Sequence, residues 1–424
     1  MRSTVRALLA GSMVAVVTIA GCGGGDGGTD PVEEYQEPPE PAWTFCTNEG
    51  APCEFVGLRV VRLGPSAGPY VEKESFGTIP CAPYGFDNQN PAPSQSLHCD
   101  YSPVKTDTIP NPSPGMGVLR STVIIPIGST GFGEARVRST SEQPDVSGTG
   151  IGAFRTTCFL AATRFDDPIV FPGRANASHL HMFFGNAAIN ESSTPASLAA
   201  SGNSTCRGGI LNRTGYWVPA MVDSRSGKVV PPAEATFYYK TGYNMDVTTI
   251  QPFPNGLRFI AGSRDATGPQ SMVEWLCRDA NGESVVNPAG TVPTNCKVGD
   301  KVRVQITFPQ CWDGVNVDSP DHKSHMAYPI YRSGSQKSSC PPSHPVPLPE
   351  ITEHFDWVVT NATSPAYWRL TSDMYPTTTK GGLSAHADWM NGWDPETMRT
   401  IVTQCLNKGY DCGVGTIGNS TTLY

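Results

Sequence analysis

Ser178-His179-Leu180-His181-Met182-Phe183-Phe184-Gly185 carries a period of two rather than the 3.6 of a helix. As an extended strand it sends His179 and His181 to one face and Leu180 and Met182 to the other. Outward from this stretch, 44 Gly and 39 Pro divide the chain into short segments containing many Thr, Val and Tyr, the composition of strands cut by turns. Helical spacing stands out over Asp394–Leu406, where Met398, Ile401, Val402 and Cys405 recur on one side. Pro395 suits the first turn there, and Asp394 suits the N-cap. The expected fold is mainly β, a β-sandwich or jelly-roll-like body with long disulfide-pinned loops and a short C-terminal helix, plus a small N-terminal β module.

Arg2 and Arg6 precede fifteen uncharged, mostly apolar residues, Ala7–Gly21, so residues 1–21 read as a signal peptide. Nothing later reaches the roughly 20 apolar residues of a spanning helix. The run ends in Ile19-Ala20-Gly21-Cys22, which resembles the bacterial lipobox and implies lipidation of Cys22 and an extracytoplasmic, membrane-anchored protein. Plain secretion with an incidental cysteine is the alternative. Residues 22–42, with GGGDGGTDPVEEYQEPPE at 23–40, are too polar and too rich in Gly, Pro and acid to bury a core and read as a tether. Thirteen cysteines are an odd number for an exported chain, and lipid on Cys22 leaves twelve. Cys46, Cys53, Cys81, Cys99, Cys158, Cys206, Cys277, Cys296, Cys311, Cys340, Cys405 and Cys412 then allow up to six disulfides in an oxidising compartment. Proximity suggests Cys46 with Cys53, Cys277 with Cys296, and Cys405 with Cys412, and leaves the rest open.

The formal charge is −8 and becomes more negative when Arg2 and Arg6 leave with the signal peptide. No segment offers the basic face that nucleic acid needs. Residues 102–117 form a proline-rich linker, separating a unit at 43–101 from a larger one at 118–424. The first unit carries CTNEGAPCEFVGLRVVRLG, YVEK, PC, FDNQNPAP and HCDY. It resembles a small cysteine-stapled module found beside bacterial extracellular carbohydrate-active enzymes, although Leu63 stands where that module favours Tyr and Asp87–Asn90 departs from its Gly-Asp-Pro run. The resemblance implies glycan binding, with a ligand-free spacer as the alternative.

The larger unit holds DDPIVFPG, SHLHMFFGN, GYWVPAM, FPNGLRFIAG, FPQCWDGVNVDSPDHKSHMAYP, CPPSHPVPLPEI and HADWMNGWD, in that order. Over about residues 150–406 it is similar to the secreted domain-of-unknown-function family nineteen-ninety-six, which brings no reaction with it. Chemistry must therefore come from the residues.

Three constellations carry it. His179 and His181 share a face and suit one metal ion or one anionic group, or else a hydrogen-bonding frame. Between Cys311 and Tyr328, a loop marked by Gly314 and Pro320 packs Trp312, Asp313, Asn316, Asp318, Asp321, His322 and His325 together, a density typical of functional loops. Its alternative is a self-bonded loop with Asp313 and Asp321 capping turns. In Ser384–Asp394, His386 and Asp388 alternate, as do Trp389, Asn391 and Trp393. The expected site is a His/Asp/Trp-lined cleft acting on extracellular or envelope polysaccharide. Asp313, Asp321, His325, His386 and Asp388 would work as acid, base or tuning groups, and Trp312, Asn316, Tyr328, Trp389, Asn391 and Trp393 would seat sugar. A divalent metal at His179 and His181 is the one cofactor suggested. The alternative is a non-catalytic glycan- or metal-binding surface protein.

Overall fold

Alternate side chains of two facing β-sheets build the main core. The computed structural model describes residues 43–86, 88–102, 126, 128–146, 150–279, 281–376 and 378–424. The signal peptide, Cys22, the tether and residues 103–117 of the linker lie outside them.

One sheet has five antiparallel strands in the order Arg258–Gly262, His386–Met390, Gly215–Pro219, His181–Gly185 and Leu160–Arg164. The other has eight, in the order Ser284–Ala289, Val273–Arg278, Lys301–Thr307, Glu350–Val358, Glu234–Lys240, Ala153–Cys158, Tyr410–Val414 and Asp145–Val146. From the first sheet, Met182, Phe184, Tyr216, Val218, Phe259, Ala261, Ala387 and Trp389 point inward. They meet Phe237, Tyr239, Val304, Ile306, Phe355 and Trp357 of the second. Tyr216 stacks on Phe237 with ring centroids 3.8 Å apart, and Phe184 packs on Phe355 at 5.2 Å. A one-residue slip would turn this whole apolar set outward, so burial fixes the register.

The five-stranded sheet is buried on its other face as well. There Phe183, Trp217, Ile260 and Met390 pack with Ala162, Ile169, Ile189 and Leu198. Cross-strand partners share a face, and the pairs Phe183–Trp217, Trp217–Asp388, Ile260–Asp388, His181–Pro219 and His386–Gly262 place His181, His386 and Asp388 on this second, outer face. A sheet covered on both sides explains why residues 180–184 are apolar almost without interruption.

Trp389 and Trp393 correct the expectation of a sugar-seating row. Both are buried in the main core, and their indole N–H groups donate to the Tyr239 hydroxyl at 3.3 and 2.9 Å. That hydroxyl lies 2.7 Å from the Tyr216 hydroxyl. Asn391 is also buried; its amide donates to the Pro254 carbonyl and accepts the Trp393 backbone N–H. The strand ends at Met390, so the period of two no longer governs where Trp393 points.

The C-terminal helix spans Pro395–Gln404, with the Asp394 carboxylate accepting the Thr397 N–H and Met398, Ile401 and Val402 buried. All twelve expected cysteines pair: Cys46–Cys53, Cys81–Cys99, Cys158–Cys206, Cys277–Cys296, Cys311–Cys340 and Cys405–Cys412. The first two staple the N-terminal four-stranded sheet, ordered Thr44–Asn48, His98–Tyr101, Pro52–Gly64 and Val71–Pro80. Its small core centres on Cys53, Val61, Leu63, Ile79, Phe86 and Leu97. Closing a loop such as the 29-residue span of Cys311–Cys340 limits the unfolded chain by about 3–4 kcal/mol.

Tyr239→Phe keeps the ring and strands two indole N–H groups. Each unpaired buried donor costs about 1–3 kcal/mol, so the variant should melt several degrees below the parent in a thermal scan; an unchanged midpoint would show that the network contributes nothing.

Candidate metal centre

On the outer face, His179, His181 and His386 come together. His181 opens its strand, His386 opens another, and Gly215–Pro219 runs between the two. His179 lies two residues ahead of His181 in the preceding turn. The ring centroids are 4.2 Å apart for His179–His181, 5.0 Å for His179–His386 and 5.8 Å for His181–His386. One ring nitrogen from each lies within 4.8 Å of the others, and all three residues are buried.

Hydrogen bonds orient two of the rings. His181 Nδ1 lies 3.0 Å from the Asp166 carbonyl oxygen and His386 Nδ1 lies 2.9 Å from that of Ser384. A carbonyl oxygen only accepts, so each Nδ1 carries the proton and each Nε2 keeps its lone pair. His181 Nε2 and both nitrogens of His179 are buried without a partner. Burial, reinforced by the neighbouring imidazoles, holds His179 well below the usual histidine range and His181 at about 3. Burial and the nearby cations Lys323 and Arg264 bring His386 down to about 4, against the pull of its Ser384 bond. The rings are therefore neutral at ordinary pH, the form in which imidazole binds a metal.

Two carboxyls accompany them. Asp388 is fully buried and neither of its oxygens has a partner. Burial pushes its carboxyl well up, and the charge of Asp167 adds to the effect. Asp167 accepts the Ile169 and Val170 N–H groups on one oxygen at 3.0 and 2.9 Å, and burial raises it to about 6. Lys323, whose ammonium donates to the Gly262 carbonyl, and the partly exposed Arg264 act electrostatically on Asp388 and on His386. Glu353 lies on the inner face, also buried and unpartnered, with its carboxyl pushed up by burial and by Asp388. Asp167, Lys323 and Arg264 give no spacing signal that would single them out; they come within electrostatic reach of the site through tertiary packing.

The Cys311–Tyr328 loop places its ionisable groups differently from the expected cleft. Asp313 accepts the Val315 and Asn316 N–H groups on one oxygen, both at 2.8 Å, and the Asn316 amide on the other. Asp321 accepts four donors from Ser319, Lys323 and Ser324. The Ser324 N–H leads in holding the Asp321 carboxyl below the usual range; at Asp313 the Val315 and Asn316 donors outweigh a contrary effect of burial. Neither carboxylate can therefore be the protonated member of an acid–base pair. His325 commits Nδ1 to the Ser319 hydroxyl at 2.7 Å and Nε2 to the Arg258 carbonyl at 3.0 Å. Trp312 donates to the Asn316 carbonyl, which closes the turn that Asp313 caps, and Tyr328 donates to the Thr307 carbonyl. The loop is bound along the sheet edge as well: Arg258 N–H reaches the Val317 carbonyl and Ile260 N–H that of His322, both at 3.1 Å. Asp313, Asp321 and His325 thus serve the loop's own turns, and the residue this loop brings within electrostatic reach of His386 and Asp388 is Lys323.

Replacing Asp321 with Ala should lower stability by about 1 kcal/mol, the usual worth of a turn-capping carboxylate, while metal content stays at the parent's value. Loss of metal together with a small stability change would instead place Asp321 in the centre.

Neither the curated proteins nor the solved structures provide a match to this chain. The family described as Domain of unknown function (DUF1996) matches residues 167–393, a span that holds all three histidines, Asp167, Asp388 and the whole self-bonded loop. That span exceeds half of the chain, and the protein belongs to the DUF1996 family.

Proposed function

We propose that this is an extracytoplasmic metal-dependent protein whose chemistry takes place at one divalent ion held by His179, His181 and His386. The observation that carries the reading is the cluster itself: three buried, neutral imidazoles with one ring nitrogen of each within 4.8 Å of the others, and with His181 Nε2 and both nitrogens of His179 unpartnered. A hydrogen-bonding frame would satisfy its nitrogens. Carbonyl partners on the two Nδ1 atoms supply the outer-shell orientation that metal-ligating histidines usually have. Imidazole donors suit zinc or copper among the common divalent ions.

Among the described residues, no fourth His, Cys, Asp or Glu joins the cluster. Three protein ligands leave a position for water or substrate, which is the pattern of catalytic rather than structural zinc sites. An ion there would polarise a bound oxygen, and Asp388, unpartnered on the same face, would be the carboxyl to exchange a proton with it. Lys323 and Arg264 would favour an anionic substrate group.

A second reading, glycoside cleavage by Asp388 and Asp167 without metal, draws support from the burial that pushes both carboxyls up. Chelation separates the two, since only the first reaction needs the ion. Attachment through a lipid on Cys22 belongs to the same proposal, and six disulfides fit an oxidising compartment.

Protein purified without chelator, or dialysed against zinc or copper, should contain about one equivalent of metal by elemental analysis. His179→Ala, His181→Ala and His386→Ala should each lower affinity at least tenfold, with near-ultraviolet dichroism showing the fold retained; Asp388→Asn should keep the metal and lose turnover. Absence of binding by the folded parent would overturn the metal centre. Cys22→Ser should release the protein from the membrane fraction, and unchanged attachment would rule out the lipid anchor.

A further inference from the structure

A cavity of about 710 Å³ is lined by residues of both sheets and by three arginines, Arg136, Arg138 and Arg207. No residue of the histidine cluster lines it. Its volume falls within the roughly 300–1,000 Å³ of pockets that take small ligands.

The three guanidinium groups are held in different ways. Arg136 donates through Nε to an oxygen of the Tyr424 α-carboxylate at 3.0 Å and lies over the Phe132 ring at 3.9 Å and the Tyr424 ring at 4.5 Å. Arg138 also lies over the Tyr424 ring, 5.1 Å from its centroid. Arg207 donates to the Thr157 hydroxyl at 3.2 Å. Arg136 is compensated by the Tyr424 α-carboxylate and by the exposed Glu134 at 3.4 Å, whereas among the described residues Arg138 and Arg207 have no carboxylate partner. The lining Glu234 is paired with Lys301. Arg138 and Arg207 are the cavity's arginines left available to an anionic ligand.

Aromatic surface accompanies the charge. Phe159 lines the cavity and is 66% exposed, and Tyr424 is 37% exposed. An exposed phenyl ring beside planar guanidinium forks is suited to a ligand that has an apolar ring face and a carboxylate. A purely inorganic anion would use the arginines and leave the rings unused; a neutral sugar would do the reverse.

We infer that this cavity binds a carboxylated oligosaccharide, a uronate-containing chain, with Arg138 and Arg207 reading the carboxylates and Phe159 stacking on a sugar ring. The inference does not rest on the metal centre, whose residues lie elsewhere. It gives the protein a means of holding an acidic polysaccharide independently of any reaction.

Calorimetric titration of the full-length mature protein with oligogalacturonate, its methyl-esterified counterpart and inorganic phosphate tests this directly. The acidic oligosaccharide should bind, the esterified form at least tenfold more weakly, and phosphate more weakly still. Affinity for the acid form should fall with added salt. Arg138→Ala with Arg207→Ala should reduce it at least tenfold, and Phe159→Ala should reduce saccharide binding while leaving any phosphate binding unchanged, with near-ultraviolet dichroism retained in both as a check on folding. Equal binding of the esterified form, binding of phosphate as tight as that of the saccharide, or no binding at all would each overturn the inference.

Discussion

A sheet buried on both faces gives a polar side chain no water to turn to. The five-stranded sheet is in this position, with the aromatic core on one side and the Phe183, Trp217, Ile260 and Met390 cluster on the other. Every polar group placed on it must find a partner in the protein, change its protonation state, or take a ligand. The main-core side takes the first course: Trp389, Trp393, Tyr239 and Tyr216 bond to one another. On the outer side the second and third are left, and the imidazoles and carboxyls there are neutral or pushed toward neutrality while several of their atoms remain unpartnered.

That constraint also explains what could be read from the chain and what could not. Period two correctly separates His181 from Met182, because facing along a strand is a local property; the strand begins only at His181, so His179 reaches the cluster from the segment ahead of it. The C-terminal helix is legible for the same reason, through Pro395 and the spacing of Met398, Ile401 and Val402. Disulfide candidates follow from counting, and the three pairs of near neighbours form because short loops bring their ends together easily. Whether a face meets solvent is not local. In residues 386–393 the alternation is the same for His386 and Asp388 as for Trp389, and nothing in it shows that both faces are covered. His386 joins His179 and His181 only because two strands far apart in sequence flank the Gly215–Pro219 strand, an arrangement no spacing encodes.

Density of ionisable residues misled in the opposite direction. The Cys311–Tyr328 loop concentrates acids and histidines, as catalytic loops do, yet a long loop without regular structure has its own backbone N–H groups to satisfy. Asp313 and Asp321 accept those groups, His325 bridges Ser319 to the Arg258 carbonyl, and Cys311 ties one end to Cys340. The carboxylates are consumed in shaping the loop. What distinguishes Asp388 is not its neighbourhood in sequence but the lack of any donor to its oxygens.

The cost of leaving buried polar atoms unpartnered bears on how such a cluster persists. Three imidazole nitrogens at about 1–3 kcal/mol each amount to a substantial part of the roughly 5–15 kcal/mol by which a domain is stable. Relaxation would be the ordinary response: a ring would rotate out, or a strand would slip until the nitrogens met water. Rotation of His181 and His386 is opposed by the carbonyl bonds to Asp166 and Ser384, and slippage would expose Phe184, Tyr216 and Trp389 together. The Cys158–Cys206 and Cys405–Cys412 cross-links further limit movement of the chain around these strands. The scaffold thus keeps the three rings together at a cost that a shared cation, taking one nitrogen from each, would offset in part, which is the energetic meaning of a preorganised site.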